Sequence, residues 1–345
     1  MKFVHIADVH LDIPFKTISD RAGLGTKRRL EQREALKDVI TFIKENNIDY
    51  LFISGDLYEQ EYIRESSIKF LNELFKEIPN TKIYIAPGNH DPYIKNSYYM
   101  TFDWNNNVKI FTDSVQKVEN DDVNIYGFGF NNFEMNENQI QDININDRSK
   151  INMLVTHGDI NDSIYNPMKL DVLKSKGFDY IALGHIHKRD DFDNIVYPGS
   201  LISLGFDELG KHGMIVGEII DKKVYKQFIP IDKREFIVKN IDVSNIESEE
   251  ELIEIINEIE DNNNLYEICF EGYRKFNINI DMNLLKDNII KLKDNTKVKI
   301  DFKENDYTLK GLYIKKLNEK KDNNLIDDKT YDDLLEIGMR TFEKN

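Results

Sequence analysis

The sequence predicts an α/β fold with a parallel sheet, followed by a smaller α+β domain, on three observations. Short apolar runs alternate with helical patterns through the first third of the chain, which means parallel strands joined by crossovers. Each of these runs ends on side chains of metal-binding type. A length of 345 residues exceeds what one hydrophobic core usually supports, and the pattern changes to a compact α+β set past Pro230.

The elements follow in order. "KFVHIA" is a buried strand ended by Asp8. Residues 27–46 form a helix with Leu30, Ala35, Val39, Ile40 and Ile43 on one face. "DYLFIS" is the second strand, "SSIKFLNELFKEI" a helix and "KIYIA" the third strand. Residues 108–130 turn strand-rich, and "INMLVT", "YIALG" and "NIVYPGS" add three apolar runs. "GMIVGEII" and "VYKQFIP" read as a hairpin with "DKK" near its turn. "PIDKRE", residues 230–235, is the expected boundary. Beyond it come the strand "FIVKNIDV", a helix at 248–260 with Ser248 as N-cap, the strand "LYEICFEGY", a helix at 282–292 and the strand "KVKIDF". The terminal "YDDLLEIGMRTFE" is amphipathic through Leu334, Leu335, Ile337, Met339 and Phe342, either packed on its own domain or docking a partner. The expected divisions are 1–234, 235–305 as an α+β cap, and 306–345 as a C-terminal tail with that helix.

A hydrophobic fraction of 40% supports a sizeable core, while a formal net charge of -16 argues against a generally basic nucleic-acid coat. A local basic channel stays open, because carboxylates gathered around divalent ions also lower the count. Cys269 is the single cysteine, so no disulfide framework forms within the chain and a reducing cytoplasm is expected. The start "MKFVHIADVH" lacks the apolar stretch and cleavage site of an export signal, and no segment reaches the roughly 18 apolar residues of a membrane span.

The candidate chemistry recurs just after apolar strands: Asp8 and His10 in "ADVH", Asp56 in "SGDLYE", Asn89, His90 and Asp91 in "APGNHD", His157 after "INMLVT", and His185 and His187 after "YIALG". Strand ends are where an α/β sheet gathers distant parts of a chain around one crevice. Each piece alone is ordinary: D-x-H arises by chance, Asn89 suits a turn, and a histidine pair can decorate a strand end. Together they weigh more, because five of the seven histidines fall into these slots. Carboxylates, imidazoles and an amide oxygen suit manganese, iron or zinc. A carboxylate can bridge two ions about 4 Å apart that activate water and clamp a phosphoryl oxygen, and Asp56 after Gly55 suits that place. His90 is then free to stabilise developing charge or protonate the leaving oxygen, with Asp91 placed to orient it. His5 and His212 read as structural.

In that order, D-x-H, G-D, G-N-H-D, H-G and G-H-x-H resemble the calcineurin-like metallophosphoesterase superfamily over residues 8–187. The resemblance implies a four-layer α-β-β-α sandwich of two mixed sheets and a dinuclear site. It puts Asp8, His10, Asp56 and His187 on one ion and Asp56, Asn89, His157 and His185 on the other, with His90 as the substrate-side histidine. "IADVHLDIPF", "GDLY", "GNHDPYIKNSYY", "HGDI", "LGHIHKRD" and "YPGSLISLGFDE" are similar to bacterial DNA repair exonucleases of the SbcD type, most of all their YhaO-like branch. That implies manganese-dependent cleavage of DNA, a cap domain, a homodimer and an SMC-like ATPase partner bound through C-terminal helices. The better-known branch has a second histidine where this chain has Glu59, and a carboxylate there repels phosphate. This argues against efficient exonuclease action and keeps open a phosphodiesterase or phosphatase acting on small nucleotides or another non-DNA substrate, or a scaffold with an idle site. Arg21, Lys27, Arg28 and Arg29, and Lys188 with Arg189, are candidate phosphate contacts, Arg28, Lys188 and Arg189 foremost. Tyr93, Tyr98, Tyr99, Phe102 and Trp104 serve core packing, a dimer interface or base stacking.

Overall fold

The computed structural model describes residues 1–15, 18, 23–161, 164–261, 263–298 and 308–342, the last without the side chains of 339 and 340. Arg21, residues 299–302 of "KVKIDF" and the Met339 side chain therefore lie outside the described residues. The chain divides by internal contacts into two compact units, Met1–Glu235 and the remainder from Phe236.

In the first unit the chain runs β1 (Lys2–Ile6), α1 (Leu24–Asn46), β2 (Tyr50–Ile53), α2 (Glu65–Lys76), β3 (Lys82–Ile85), α3 (Tyr98–Thr101), β4 (Val108–Ile110), β5 (Gln116–Glu119), β6 (Val123–Gly127), β7 (Ile151–His157), α4 (Leu170–Lys176), β8 (Tyr180–Gly184), β9 (Asp190–Phe192), β10 (Ile195–Tyr197), β11 (Gly213–Ile220) and β12 (Lys223–Pro230). Two six-stranded sheets result, ordered β12-β11-β1-β2-β3-β4 and β5-β6-β7-β8-β10-β9. Strands β1 to β4 are mutually parallel, β11 pairs antiparallel with β1, and β12 pairs antiparallel with β11 at the edge. In the second sheet β6, β7, β8 and β10 are parallel, and β5 and β9 run antiparallel at its two edges. The architecture is thus a mixed α/β fold built on two large mixed sheets.

One core holds the sheets together. Phe3, Phe52 and Tyr84 from the first sheet meet Ile125, Met153, Val155, Tyr180 and Val196 from the second. Alternation along each strand leaves Val4, Leu51, Ile53, Ile83 and Ile85 buried on the opposite face of the first sheet. Buried residues spaced along α1 (Leu36, Val39, Ile40, Ile43) and α2 (Ile68, Leu71, Phe75) give these helices apolar faces. The expected hairpin forms between β11 and β12, where Ile220 pairs with Lys223 across Asp221 and Lys222, both at positive φ as a type I′ turn requires.

The second unit contains β13 (Phe236–Asp242), α5 (Glu249–Asn257), β14 (Leu265–Glu271), β15 (Tyr273–Arg274), β16 (Ile289–Asp294), β17 (Lys297–Val298), α6 (Leu309–Asp322) and α7 (Asp328–Phe342). Ser248 caps α5 by accepting from the Glu251 amide. The helix expected at 282–292 is absent: a 3-10 turn at Met282–Leu284 is followed by β16, which pairs in parallel with β14. Asn288 donates to the carbonyls of Asp261 and Asn264 and breaks the helical pattern, and the Ile289–Ile290 pair suits a strand. α6 is not among the expected elements; it packs with α7 through Ile314 and Leu335.

Candidate metal centre

Asp8 and His10 follow β1, Asp56 follows β2, Asn89 and His90 follow β3, His157 ends β7, and His185 and His187 follow β8. The first five therefore come from one sheet and the last three from the facing one. Three overlapping groups bring ligand atoms within 4.8 Å of one another: Asp8, His10 and His187; His10, Asp56 and His90; Asp8, Asp56 and His157. All but the side chains of His90, His185 and His187 are buried.

The backbone is held in an uncommon conformation to achieve this. Asp8, His10 and Asp56 sit at φ near +50° and His185 at +105°. Side chains rarely adopt such values, which cost on the order of 1–3 kcal/mol each and cluster at functional sites. The extended geometry of β8 therefore stops at Gly184, one residue before His185. Gly184 itself serves close packing: a Cβ there would lie 2.0 Å from the Ser54 carbonyl and 2.8 Å from the Ala7 Cβ, so it sets how near the sheets approach. At Gly55 both reasons apply, with φ at +84° and His157 Nδ1 only 2.3 Å from a Cβ.

The donor atoms fall into two halves about Asp56, whose Oδ2 lies 3.7 Å from His10 Nε2 and 3.3 Å from His157 Nε2. In one half, His10 Nε2 and His187 Nε2 face each other at 3.0 Å. His10 Nδ1 donates to Glu59 (2.7 Å) and His187 Nδ1 to Glu208 (2.5 Å). In the other half, His157 Nε2 and His185 Nδ1 converge on Asn89 Oδ1 at 3.0 and 3.2 Å, while His157 Nδ1 donates to the Ser54 carbonyl. Asp8 accepts from the His185 amide and so ties the two sheets together. With every Nδ1 of His10, His157 and His187 committed outward, their Nε2 atoms are left pointing into the cluster, the tautomer a cation needs. Oxygen and imidazole donors with no thiolate fit hard or borderline divalent ions.

His90 is the solvent-facing member, with 45% of its side chain exposed. Asp91 does not orient it. Fully buried, Asp91 accepts from the amides of Gly88, Asp56 and Leu57 and from the Tyr99 hydroxyl, so it braces the Asp56 and Asn89 loops. Burial and the nearby Asp56 charge push its carboxyl up to about 7. The partner of His90 is Glu59, whose Oε2 accepts from Nδ1 at 3.1 Å while Oε1 holds His10. Burial pulls His90 down, but the Glu59 hydrogen bond and the charges of Asp56 and Glu59 more than offset this, raising it to about 9. Burial pushes the Glu59 carboxyl up, but the hydrogen bonds and charges of His10 and His90 outweigh it and hold it at about 2. The carboxylate expected to repel phosphate is thus engaged at both oxygens by imidazoles.

Arg28 is not available to a ligand either. It is 1% exposed and bound to Glu31, Asp232 and the Ser203 carbonyl. Lys27, Lys188 and Arg189 are exposed, Arg189 lying 4.6 Å over the Phe228 ring. Among the aromatics after the G-N-H-D loop, Tyr99 is buried against Tyr58, and Trp104 packs on Phe75 and Phe102. These three, Tyr99, Phe102 and Trp104, take part in packing. Glu208 and Asn166, which donates to the His157 carbonyl, are the supporting residues that motif spacing did not single out, and Glu59 is legible in the sequence only as a departure from the family pattern, not as a support for His10 and His90. Glu59 had one signal, its place three residues after Asp56.

These loops belong to a recognisable class: residues 1–189 match the calcineurin-like phosphoesterases, and the chain belongs to that family. The family is one of metal-dependent phosphoesterases whose members typically bind two divalent metals, and the Asp/His cluster is the candidate place for them. Over 245 residues the chain is 26% identical to YhaO of Bacillus subtilis (strain 168), described as an uncharacterized metallophosphoesterase; this covers 66% of the chain and 60% of that relative. Similar solved structures include TT1561 of Thermus thermophilus (TM-score 0.38, 9% identity, 67% of this chain and 98% of that one) and a dimetal phosphatase from Danio rerio (0.37, 10%, 66% and 98%). No described helix is long and apolar enough to cross a membrane.

Proposed function

We propose that this phosphoesterase is a DNA nuclease of the repair or end-processing kind that hydrolyses phosphodiesters with two manganese ions. Asp8, His10, Asp56 and His187 would hold one ion, and Asp56, Asn89, His157 and His185 the other. When bound, such ions supply the positive charge that makes water a stronger nucleophile and polarises phosphoryl oxygens. His90, exposed at the rim, would hold a proton on Nε2 for the leaving oxygen while Glu59 fixes its Nδ1. The observation that supports diester cleavage despite Glu59 is this double engagement, because a carboxylate covered by two imidazoles presents little bare charge to a phosphate. Lys188 and Arg189, exposed directly after His187, supply phosphate contacts beside the site.

Linear single- and double-stranded DNA incubated with the protein and manganese should be degraded. DNA left intact while bis(p-nitrophenyl) phosphate is turned over would replace this reading with a hydrolase of small nucleotides or another non-DNA phosphoester. The resemblance to the SbcD type extends the proposal to a cytoplasmic homodimer and an SMC-like ATPase partner docked on the C-terminal helices. Light scattering of the purified chain that returns a monomer mass would remove the dimer.

A further inference from the structure

One helix reaches both imidazoles in a single half of the centre, from behind. Arg28 and Gln32 stand one turn apart on the same face of α1 and are buried, at 1% and 0% exposure. Polar side chains so deep are costly unless their groups find partners. Gln32 takes up the loop after β1: its amide nitrogen donates to the carbonyls of Val9 (2.6 Å) and His10 (3.0 Å), and its oxygen accepts from the Asp12 amide at 3.2 Å. It thereby holds a turn in which His10 and Asp12 both sit at positive φ.

Arg28 takes up the segment behind His187. Its Nη2 donates to the Ser203 carbonyl at 2.8 Å, and the guanidinium forks onto both oxygens of Asp232 at 3.1 and 2.9 Å. Asp232 also accepts from the Ser203 amide at 2.9 Å, so the pair clamps Ser203 at its carbonyl and its amide together. From there the support passes to Glu208. The Ser203 hydroxyl donates to the Glu208 carbonyl (2.8 Å) and the Leu204 amide to Glu208 Oε2 (3.0 Å), while Glu208 Oε1 holds His187 Nδ1. His10 and His187 are the residues whose Nε2 atoms face each other at 3.0 Å. We propose that α1 is a ruler for this half of the centre, with Gln32 a positioning residue for His10 and the Arg28–Asp232 pair a positioning unit for His187. The inference rests on the two-ion assignment above and adds a remote determinant to it. The bonds named are made to backbone and supporting groups, not to ligand atoms. A carboxylate such as Glu208 orients its imidazole only as well as its own backbone is held. An interior ion pair is a weak source of stability, because apolar residues of similar size often do as well, so its use here points to geometry.

The test is calorimetric titration of the full chain with manganese. Arg28→Met combined with Asp232→Leu replaces the pair by apolar side chains, and Glu31, the other partner of Arg28, keeps Arg234 at 2.7 Å. This double variant should weaken one of two manganese sites about tenfold, the low end for loss of a group that orients a ligand. Arg28→Lys, which keeps the charge without the fork, should fall between it and wild type. Gln32→Leu should weaken the same site, so that one site keeps wild-type affinity in every variant. Leu71→Ala, a cavity under α2 at a fully buried position, supplies the effect of lost stability alone and should leave both sites unchanged. With bis(p-nitrophenyl) phosphate, the manganese needed for half-maximal turnover should rise in the double variant by the factor seen in binding, with kcat at saturating manganese unchanged. Two wild-type sites in the double variant overturn the ruler, as does weakening of both sites or equal weakening by Leu71→Ala. If the double variant does not fold, Arg28→Lys and Gln32→Leu decide by the same criteria. A wild type with fewer than two manganese sites removes the two-ion assignment and the ruler with it, whereas two sites that the variants leave alone remove only the ruler.

Discussion

The two halves of the centre are supported differently. His10 and His187 each lean on a buried carboxylate, Glu59 and Glu208, whereas His157 leans on the neutral Ser54 carbonyl. A carboxylate behind an imidazole raises its basicity and its strength as a ligand more than a neutral carbonyl does. Burial pulls His187 down, yet Glu208 and Asp8 carry it up to about 9, while burial and the neighbouring His157 charge hold His185 at about 4. Ions in the two halves should thus bind with unequal affinity, the one beside His10 and His187 the tighter. His157 departs from its half: burial opposes the proton, but Asp56 overrides it and leaves the imidazole at about 9.

The largest effect expected leaves this contrast untouched. His90→Ala should lower kcat by ~10²–10⁴, the usual loss of a general acid, with two ions still bound by metal analysis. Undiminished turnover would remove His90 from the chemistry. Glu208→Gln acts on one half alone and should weaken one of the two ions by roughly 10–100-fold in calorimetric titration. Equal weakening of both, or of neither, would break the asymmetry. Glu59→Gln should weaken the same ion and also lower kcat, since Glu59 serves His90 as well.

The acid–base linkage sharpens the comparison further. His157 and His187 have raised pKa values, so without metal they contribute stability below about pH 6.5 that fades as pH rises through about 9. Metal binding runs the other way, because each imidazole must shed its proton; apparent affinity should climb by up to about tenfold per unit per proton between pH 7 and 9, then level off. Titration at three pH values, with proton release measured in two buffers, checks the sign. The smallest effect concerns the rim: Lys188→Ala and Arg189→Ala should each reduce the salt slope of DNA binding by about 0.7–0.9. An unchanged slope would remove both residues from the DNA path.

What the sequence made legible was whatever a strand end requires. Asp8, His10, Asp56, Asn89, His157, His185 and His187 could be picked out because each directly follows an apolar run, and the runs themselves became β1, β2, β3, β7 and β8. Supporting contacts were hidden because they span long separations: Glu208 reaches His187 and Glu59 reaches His10 from 21 and 49 residues away. Arg28 defeats a sequence reading for the same reason, since its fate depends on Asp232, 204 positions on. The adjacency of Asp91 to His90 suggested a partnership that the tight loop does not make, because Asp91 turns inward to the amides of Gly88, Asp56 and Leu57. At 282–292 the apolar spacing suited a helix, and pairing with β14 overrode it.

Gly184 has a further consequence. Asp8 and Asp56 ride on one sheet and His157 and His185 on the other, so ligand spacing is a dimension of the core between the sheets. Interiors are close-packed and resist compression, which makes that spacing a mechanical property of residues such as Phe3, Met153 and Tyr180. Changes of volume in that distant core should retune the metal preference of the centre without touching a ligand.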